Sequence, residues 1–443
     1  MMDLGELREA VAAGTIDTVA LALTDMQGRL QGKRLAARHF LDSVVGSGAE
    51  ACDYLLAVDV DMNTVDGYAL TSWEQGYGDF ELRPDLTTLR ALPWVERTAL
   101  CLADVQRGDG TPVAVSPRQV LRGQLERLGA RGWSALAATE LEFILFRDTY
   151  EEAAAADYRG LAPATRHNVD YSLLGTAPLE PLIGRIRREM ELAGMRVEDS
   201  KGECNRGQHE INFRYDEALR TCDNHAIYKT GAKEIAAQTG MALTFMAKYD
   251  EREGSSCHVH LSLSDGDSGA PFAAEPGLLE RFVGGLLATL PELTLMIAPN
   301  VNSYKRFQAG SFAPTALAWG EDNRTCAVRV VGHGAARRVE CRAPGADANP
   351  YLAVAALLVG GLAGIERGLD PGPPLAGNAY AGDLPRLPGD LRAARDLFAA
   401  SEVARAALGD AVVDHYVNQA TVELDAFGAA VTDWERRRGF ERL

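Results

Sequence analysis

Cysteine is scarce and unpatterned in this chain. Its seven residues, at 52, 101, 204, 222, 257, 326 and 341, form no CxxC pair or regular framework. That scatter argues against a disulfide scaffold and points to reduced thiols in a cytosol. A positive balance is also missing: 45 Lys+Arg against 62 Asp+Glu leave a net charge of −17. Neither nucleic acid nor an anionic membrane is then expected as main partner, since both attract basic faces. Phosphorylated substrates stay open, because a bound divalent cation reverses a local field. The most apolar run, Tyr351 to Ile365, is 15 residues long, too short to span a bilayer, and reads as a buried helix. The first residues carry acids and no basic stretch ahead of an apolar core, so no signal peptide is expected and a cytoplasmic location is. Tandem repeats and low-complexity tracts are lacking. So are a GxxxxGK[ST] loop and a GxGxxG after a strand, and any nucleotide must be held by another architecture.

What is present is an ordinary globular composition, 47% hydrophobic and 24% charged over 443 residues. Thr18–Thr24, Asp53–Val60 and Ala99–Asp104 read as strands, and Gln27–Arg34 as a basic, glycine-punctuated hairpin. Asp61 to Pro93 reads as a long irregular segment, of the kind that is usually functional. Gly108–Pro112 marks a boundary, giving two expected domains, 1–108 and 109–443. Ser116-Pro117 opens a helix to about Gly129, and further helices are expected near 177–194, 216–239, 276–290, 350–367, 390–407 and 410–437. Short alternating segments lie between them, an α+β pattern.

Those alternating segments carry the chemistry, because residues i and i+2 of a strand share a face. Glu140 and Glu142 fall on one face, as do His258, His260 and Ser262, and as do Arg338, Glu340 and Arg342. Glu203 and Glu210 bracket a tight turn. One such segment is most simply a half-exposed strand; four with Glu, His and Arg faces are harder to read that way. Five carboxylates and a histidine without thiolates suit Mg²⁺ or Mn²⁺. Interleaved arginines suit phosphoryl transfer, where positioning and charge neutralisation dominate.

Glu140-Leu-Glu142, Glu203-Cys-Asn-Arg-Gly-Gln-His-Glu210, Cys257-His-Val-His-Leu-Ser262, Asn302-Ser-Tyr-Lys-Arg306, Asn323-Arg324, Arg337-Arg-Val-Glu340 and Asn349-Pro-Tyr351 together resemble the bacterial glutamine synthetase family. The resemblance implies an N-terminal β-grasp domain, a catalytic domain with a β-sheet funnel, and two stacked hexameric rings with active sites between subunits. It implies that ATP phosphorylates the γ-carboxylate of glutamate and that an amine displaces the phosphate. Carried over by position, Glu142, Glu203 and Glu210 resemble the ligands of a first metal, and Glu140, His258 and Glu340 those of a second, of two or three in all. Gly254, Arg306 and Arg342 resemble the glutamate clamp, and Arg324 the residue facing the transferring phosphoryl group. Arg329, Arg338, His260, Ser262 and Tyr215 match nucleotide-contacting positions, although Tyr215 and Ser262 also read as packing residues. His209 and His225 match no ligand position and read as structural.

The departures bear on the acceptor. Ammonium-using members of the family carry a glutamate in the loop after the Asn-Ser-Tyr-Lys-Arg motif, where this chain has Phe312. The family's second ammonium element, a Phe-Asp-Gly-Ser-Ser loop, is missing, and its counterpart lies somewhere in 61–79, with Trp73 and Tyr77. The resemblance is then to the γ-glutamylamide ligases, which take ethanolamine, polyamines or other alkylamines. Glutamine synthetase proper, an inactive relative and a guanidino kinase remain as alternatives. The loop around Tyr380 only loosely resembles the adenylylated loop of some members, and no such regulation is expected.

Overall fold

The computed structural model describes residues 1–266 and 269–443. Its first sheet begins with a hairpin. Strands β1 (Thr18–Thr24) and β2 (Leu30–Ala36) flank a turn in which Asp25 Oδ1 accepts the Gln27 and Arg29 amides at 3.1 and 2.8 Å. Gly28 takes φ +81° there, a conformation that costs glycine little. With β3 (Ala49–Cys52), β4 (Asp79–Pro84), β5 (Arg90–Ala91) and β6 (Thr98–Gln106), the order is β2-β1-β6-β4-β3, with β5 paired to β6.

Two expectations fail here. Asp53–Val60 is not a strand: β3 ends at Cys52, opposite Asp79, and Asp53–Leu56 coils into a 3₁₀ turn. Nor is Asp61–Pro93 wholly irregular, since it holds β4 and β5. In β4 the alternation is present, with Phe80 and Leu82 buried between the charged neighbours Asp79, Glu81 and Arg83, but the charges disguise it.

The second sheet runs β13-β14-β15-β12-β7-β9-β8. In chain order its strands are β7 (Ser134–Phe146), β8 (Val197–Gly202), β9 (Gln208–Phe213), β10 (Asp216–Glu217), β11 (Ala242–Thr244), β12 (Cys257–Ser264), β13 (Trp319–Glu321), β14 (Val328–Val331) and β15 (Arg338–Cys341). The 13-residue β7 is its spine, pairing with β9, β10, β11 and β12. Its odd residues Leu141, Phe143 and Leu145 are buried, and the helix Ala218–Gln238 packs on this strand.

The helix Pro350–Arg367 is 18 residues, longer than the apolar run suggests, and could cross a membrane by length and composition alone. Instead 83% of it is buried, against the helices Leu278–Leu293, Pro117–Gly129 and Ala218–Gln238. The helix expected over 390–407 breaks at Ser401, whose hydroxyl caps Ala404, and that over 410–437 breaks after Ala429 and restarts at a Thr432–Glu435 capping box.

The two sheets are joined by buried polar bonds. Asn349, at the N-terminus of Pro350–Arg367, donates through Nδ2 to the carbonyls of Asp25 and Met26 at 3.2 and 3.1 Å. Buried Arg118 spans Asp104 on β6, Asp85 before β5 and Asp223 on Ala218–Gln238, at 2.5, 2.6 and 3.0 Å. Tyr351 adds a hydroxyl bond to Asp223 at 2.7 Å. All seven cysteines are unpaired.

Candidate active site

Register brings the alternating residues together. Across β7 and β12, Glu140 lies opposite His258; across β12 and β15, His260 lies opposite Glu340; across β7 and β9, Glu142 lies opposite Glu210. Two clusters result, each with ligand atoms within 4.8 Å of one another: Glu140, His258 and Glu340, and Glu142, Glu203 and Glu210. Both face one cavity of about 530 Å³.

The clusters differ electrostatically. In the first, burial opposes ionisation of Glu140, but bonds from His258 (3.0 Å) and His260 (2.8 Å) outweigh it and hold the carboxyl well below its usual range. Glu340, fully buried, is likewise held down against burial by His258 and Arg342, and Arg329 Nη1 donates to it at 2.8 Å. Burial and then the Arg342 charge push His258 down to about 4, so its imidazole is neutral and able to ligate a metal. Its Nε2 is buried without a partner among the described residues. In the second cluster burial comes first and mutual repulsion next. Burial and the Glu203 charge push Glu142 up to about 8, and burial with Glu142, Glu140 and Glu203 pushes Glu210 up to about 9. Burial raises Glu203 too, despite its contact with Lys201. Three carboxylates that resist ionisation together, and a neutral orphan imidazole among two more, fit divalent cations.

The remaining predicted residues divide by position. Arg324, Arg329, Arg342 and Phe312 line the cavity with Gly254. Arg342 also pairs with Glu340. Arg306, only 1% exposed, is instead bonded to the carbonyls of Ala343 (2.7 Å) and Arg342 (2.9 Å) and to Ser256 Oγ (2.9 Å). It braces the Arg342 backbone from behind. Gly254 fits only as glycine, since a Cβ there would lie 2.5 Å from the Ala247 carbonyl and 2.8 Å from Arg306 Cγ. Arg338 Nε donates to His260 Nδ1 at 3.1 Å, and Ser262 continues the same face of β12. Tyr215 is half exposed under Arg214 and outside the cavity lining. His209 and His225 are buried, bonded to the Gly207 carbonyl (3.1 Å) and to Thr139 (3.0 Å).

Residues 114–439 match the family model described as glutamine synthetase, catalytic domain. The chain belongs to the glutamine synthetase family. It is 63% identical over 441 residues to a gamma-glutamylethanolamide synthetase of Streptomyces coelicolor, covering 99% of this chain and 96% of that one. It is 39% identical over 445 residues to a glutamate–isopropylamine ligase of a Pseudomonas species, covering 98% and 97%. A solved structure, the ADP complex of GmaS, superposes with a TM-score of 0.84 over the whole of both chains at 29% identity.

Within this glutamine synthetase fold, several cavity residues escape sequence reasoning: Asp170, Tyr171, Leu173, Thr176 and Lys201. Lys201 alone had a legible signal, because Asp199, Lys201 and Glu203 alternate. The 170–176 residues lie in a loop and short helix with no periodic signature. Phe312 is 53% exposed and holds φ +53°, an unfavourable backbone for a bulky side chain.

Proposed function

We propose that this chain is an ATP-dependent ligase joining the γ-carboxylate of L-glutamate to a small alkylamine, ethanolamine first among the candidates, to give a γ-glutamylamide, ADP and phosphate. The observation that carries the reading is the pairing of an intact acid, imidazole and arginine floor with an acceptor side lined by Phe312, Tyr171 and Leu173. Aromatic and aliphatic walls accept a carbon chain, and Phe312 supplies no carboxylate to attract a bare cation or take its proton. The 63% identity to an ethanolamide synthetase supports the same acceptor.

In this reading Arg342 and the Gly254 backbone hold glutamate's α-carboxylate, with Arg306 fixing Arg342 from behind. Arg329, Arg338, His260, Ser262 and Tyr215 hold ATP. Glu142, Glu203 and Glu210 would bind one Mg²⁺ or Mn²⁺ and Glu140, His258 and Glu340 another, which supply charge neutralisation at the γ-carboxylate and the phosphates. Arg324 faces the phosphoryl group as a glutamate oxygen attacks the γ-phosphorus and ADP leaves. The neutral amine nitrogen then attacks the γ-carbonyl carbon, the C–O bond to phosphate breaks with its electron pair, and the nitrogen's surplus proton leaves with the phosphate. The family resemblance supports domains at 1–108 and 109–443, a dodecamer with shared sites and the 61–79 segment of a neighbour at the acceptor end, and a cytoplasmic location.

Mass spectrometry of a reaction with ATP, Mg²⁺, glutamate and ethanolamine is the test. The amide should form with wild type and vanish with Glu142→Ala, whose assembly by light scattering should match wild type. Amide from Glu142→Ala would remove the site assignment, and a phosphorylated product without amide would favour a kinase.

A further inference from the structure

The acceptor end of the cavity already holds a primary ammonium group, and it belongs to the protein. Lys201 on β8 lies directly opposite Glu210 on β9, which lies opposite Glu142 on β7, so the acidic row ends in a cation. The Lys201 Nζ contacts Glu203, sits 3.6 Å from Asp170 Oδ1, and lies 4.5 Å from the centre of the Tyr171 ring. Two carboxylates and an aromatic face are what a free alkylammonium ion would seek. Asp170, Tyr171, Lys201 and Glu203 all line the cavity that contains Phe312.

We propose that Lys201 is a specificity-determining residue, a tethered ammonium that fills the cation position of the acceptor pocket. The inference rests on the ligase reading above and refines its acceptor class. With that position filled, free ammonium finds no site to occupy, and a diamine meets a like charge. Like-charge juxtaposition is a means of rejecting wrong partners. A monoamine with a neutral tail is admitted along Tyr171, Leu173 and Phe312. The fixed charge also favours the uncharged form of an incoming amine, which is the nucleophilic one. Lys201 thus excludes by charge what Phe312 fails to attract.

The test compares kcat/KM for ammonium, ethanolamine and 1,4-diaminobutane in wild type, Lys201→Met and Lys201→Arg. In Lys201→Met, ammonium and the diamine should each gain about tenfold or more relative to ethanolamine, chiefly through KM. Lys201→Arg, which keeps the charge, should preserve the wild-type ranking. An unchanged ranking in Lys201→Met overturns the proposal. So does an equal loss for all three amines in folded enzyme, which would make Lys201 only a support for Glu203. Lys201→Gln is read in the same way should Lys201→Met not fold. Wild type that turns over no amine at all defeats the ligase reading itself, a separate outcome.

Discussion

Glu142, Glu203 and Glu210 share a corner too buried for three negative charges, and their protonation makes a pH prediction. Burial first, then mutual repulsion, raises Glu142 to about 8 and Glu210 to about 9, against an ordinary value of 4.5. Between those values the folded protein keeps protons that the unfolded chain releases, so stability without cation falls as pH rises. A divalent cation needs the carboxylates ionised and displaces those protons. The rise in Tm on adding Mg²⁺ or Mn²⁺ should therefore be larger at about pH 8 than at about pH 6, while the cation-free Tm falls over the same interval. Equal cation shifts at both values would count against a carboxylate metal site. Residue identity also shows what was legible. Glu140, Glu142, His258 and Glu340 were visible because strand alternation is local. Asp170 and Tyr171 were not, because loop residues reach the cavity through tertiary contacts that no spacing encodes.

At the scale of elements, strands β7, β9, β12 and β15 could be expected, but not their mutual register, which joins residues far apart in the chain. Register is what turns separate polar faces into two clusters. Charged β4 shows the opposite failure, a strand hidden by its solvent-side acids. Helix packing was equally invisible. The helix Leu278–Leu293 approaches Pro350–Arg367 so closely that a Cβ on Gly285 would lie 2.1 Å from the Gly360 carbonyl and 2.6 Å from Gly364 Cα. Those are backbone atoms, which cannot turn aside as a side chain can. Gly285→Ala should destabilise the fold by about 1–3 kcal/mol, read as a lower urea midpoint. An unchanged midpoint would mean that the helices separate freely.

For the whole molecule, the seam between the sheets matters because the smaller sheet's hairpin seats on Asn349, at the start of the central helix. Arg118 is 3% exposed in its side chain and bridges Asp85, Asp104 and Asp223 at once. Arg118→Ala leaves buried Asp223 without a guanidinium partner and Asp85 and Asp104 with Arg122 alone, and should cost about 3–5 kcal/mol, measured by thermal or urea unfolding. A loss below about 1 kcal/mol would place the network among weak surface pairs. The acidic net charge of −17 now has a partial location as well, in four buried or half-buried glutamates that line the cavity and in fully buried Glu340, paired with Arg329 and Arg342.

Under the proposed function, an intact glutamate-activating floor serves an alkylamine in preference to ammonium. Phosphate release by purified enzyme with ATP, Mg²⁺ and glutamate, across a panel of amines, tests it directly. Ethanolamine or another small neutral-tailed alkylamine should give a kcat/KM well above that of ammonium. Phosphate release with ammonium as fast as with every alkylamine would contradict it.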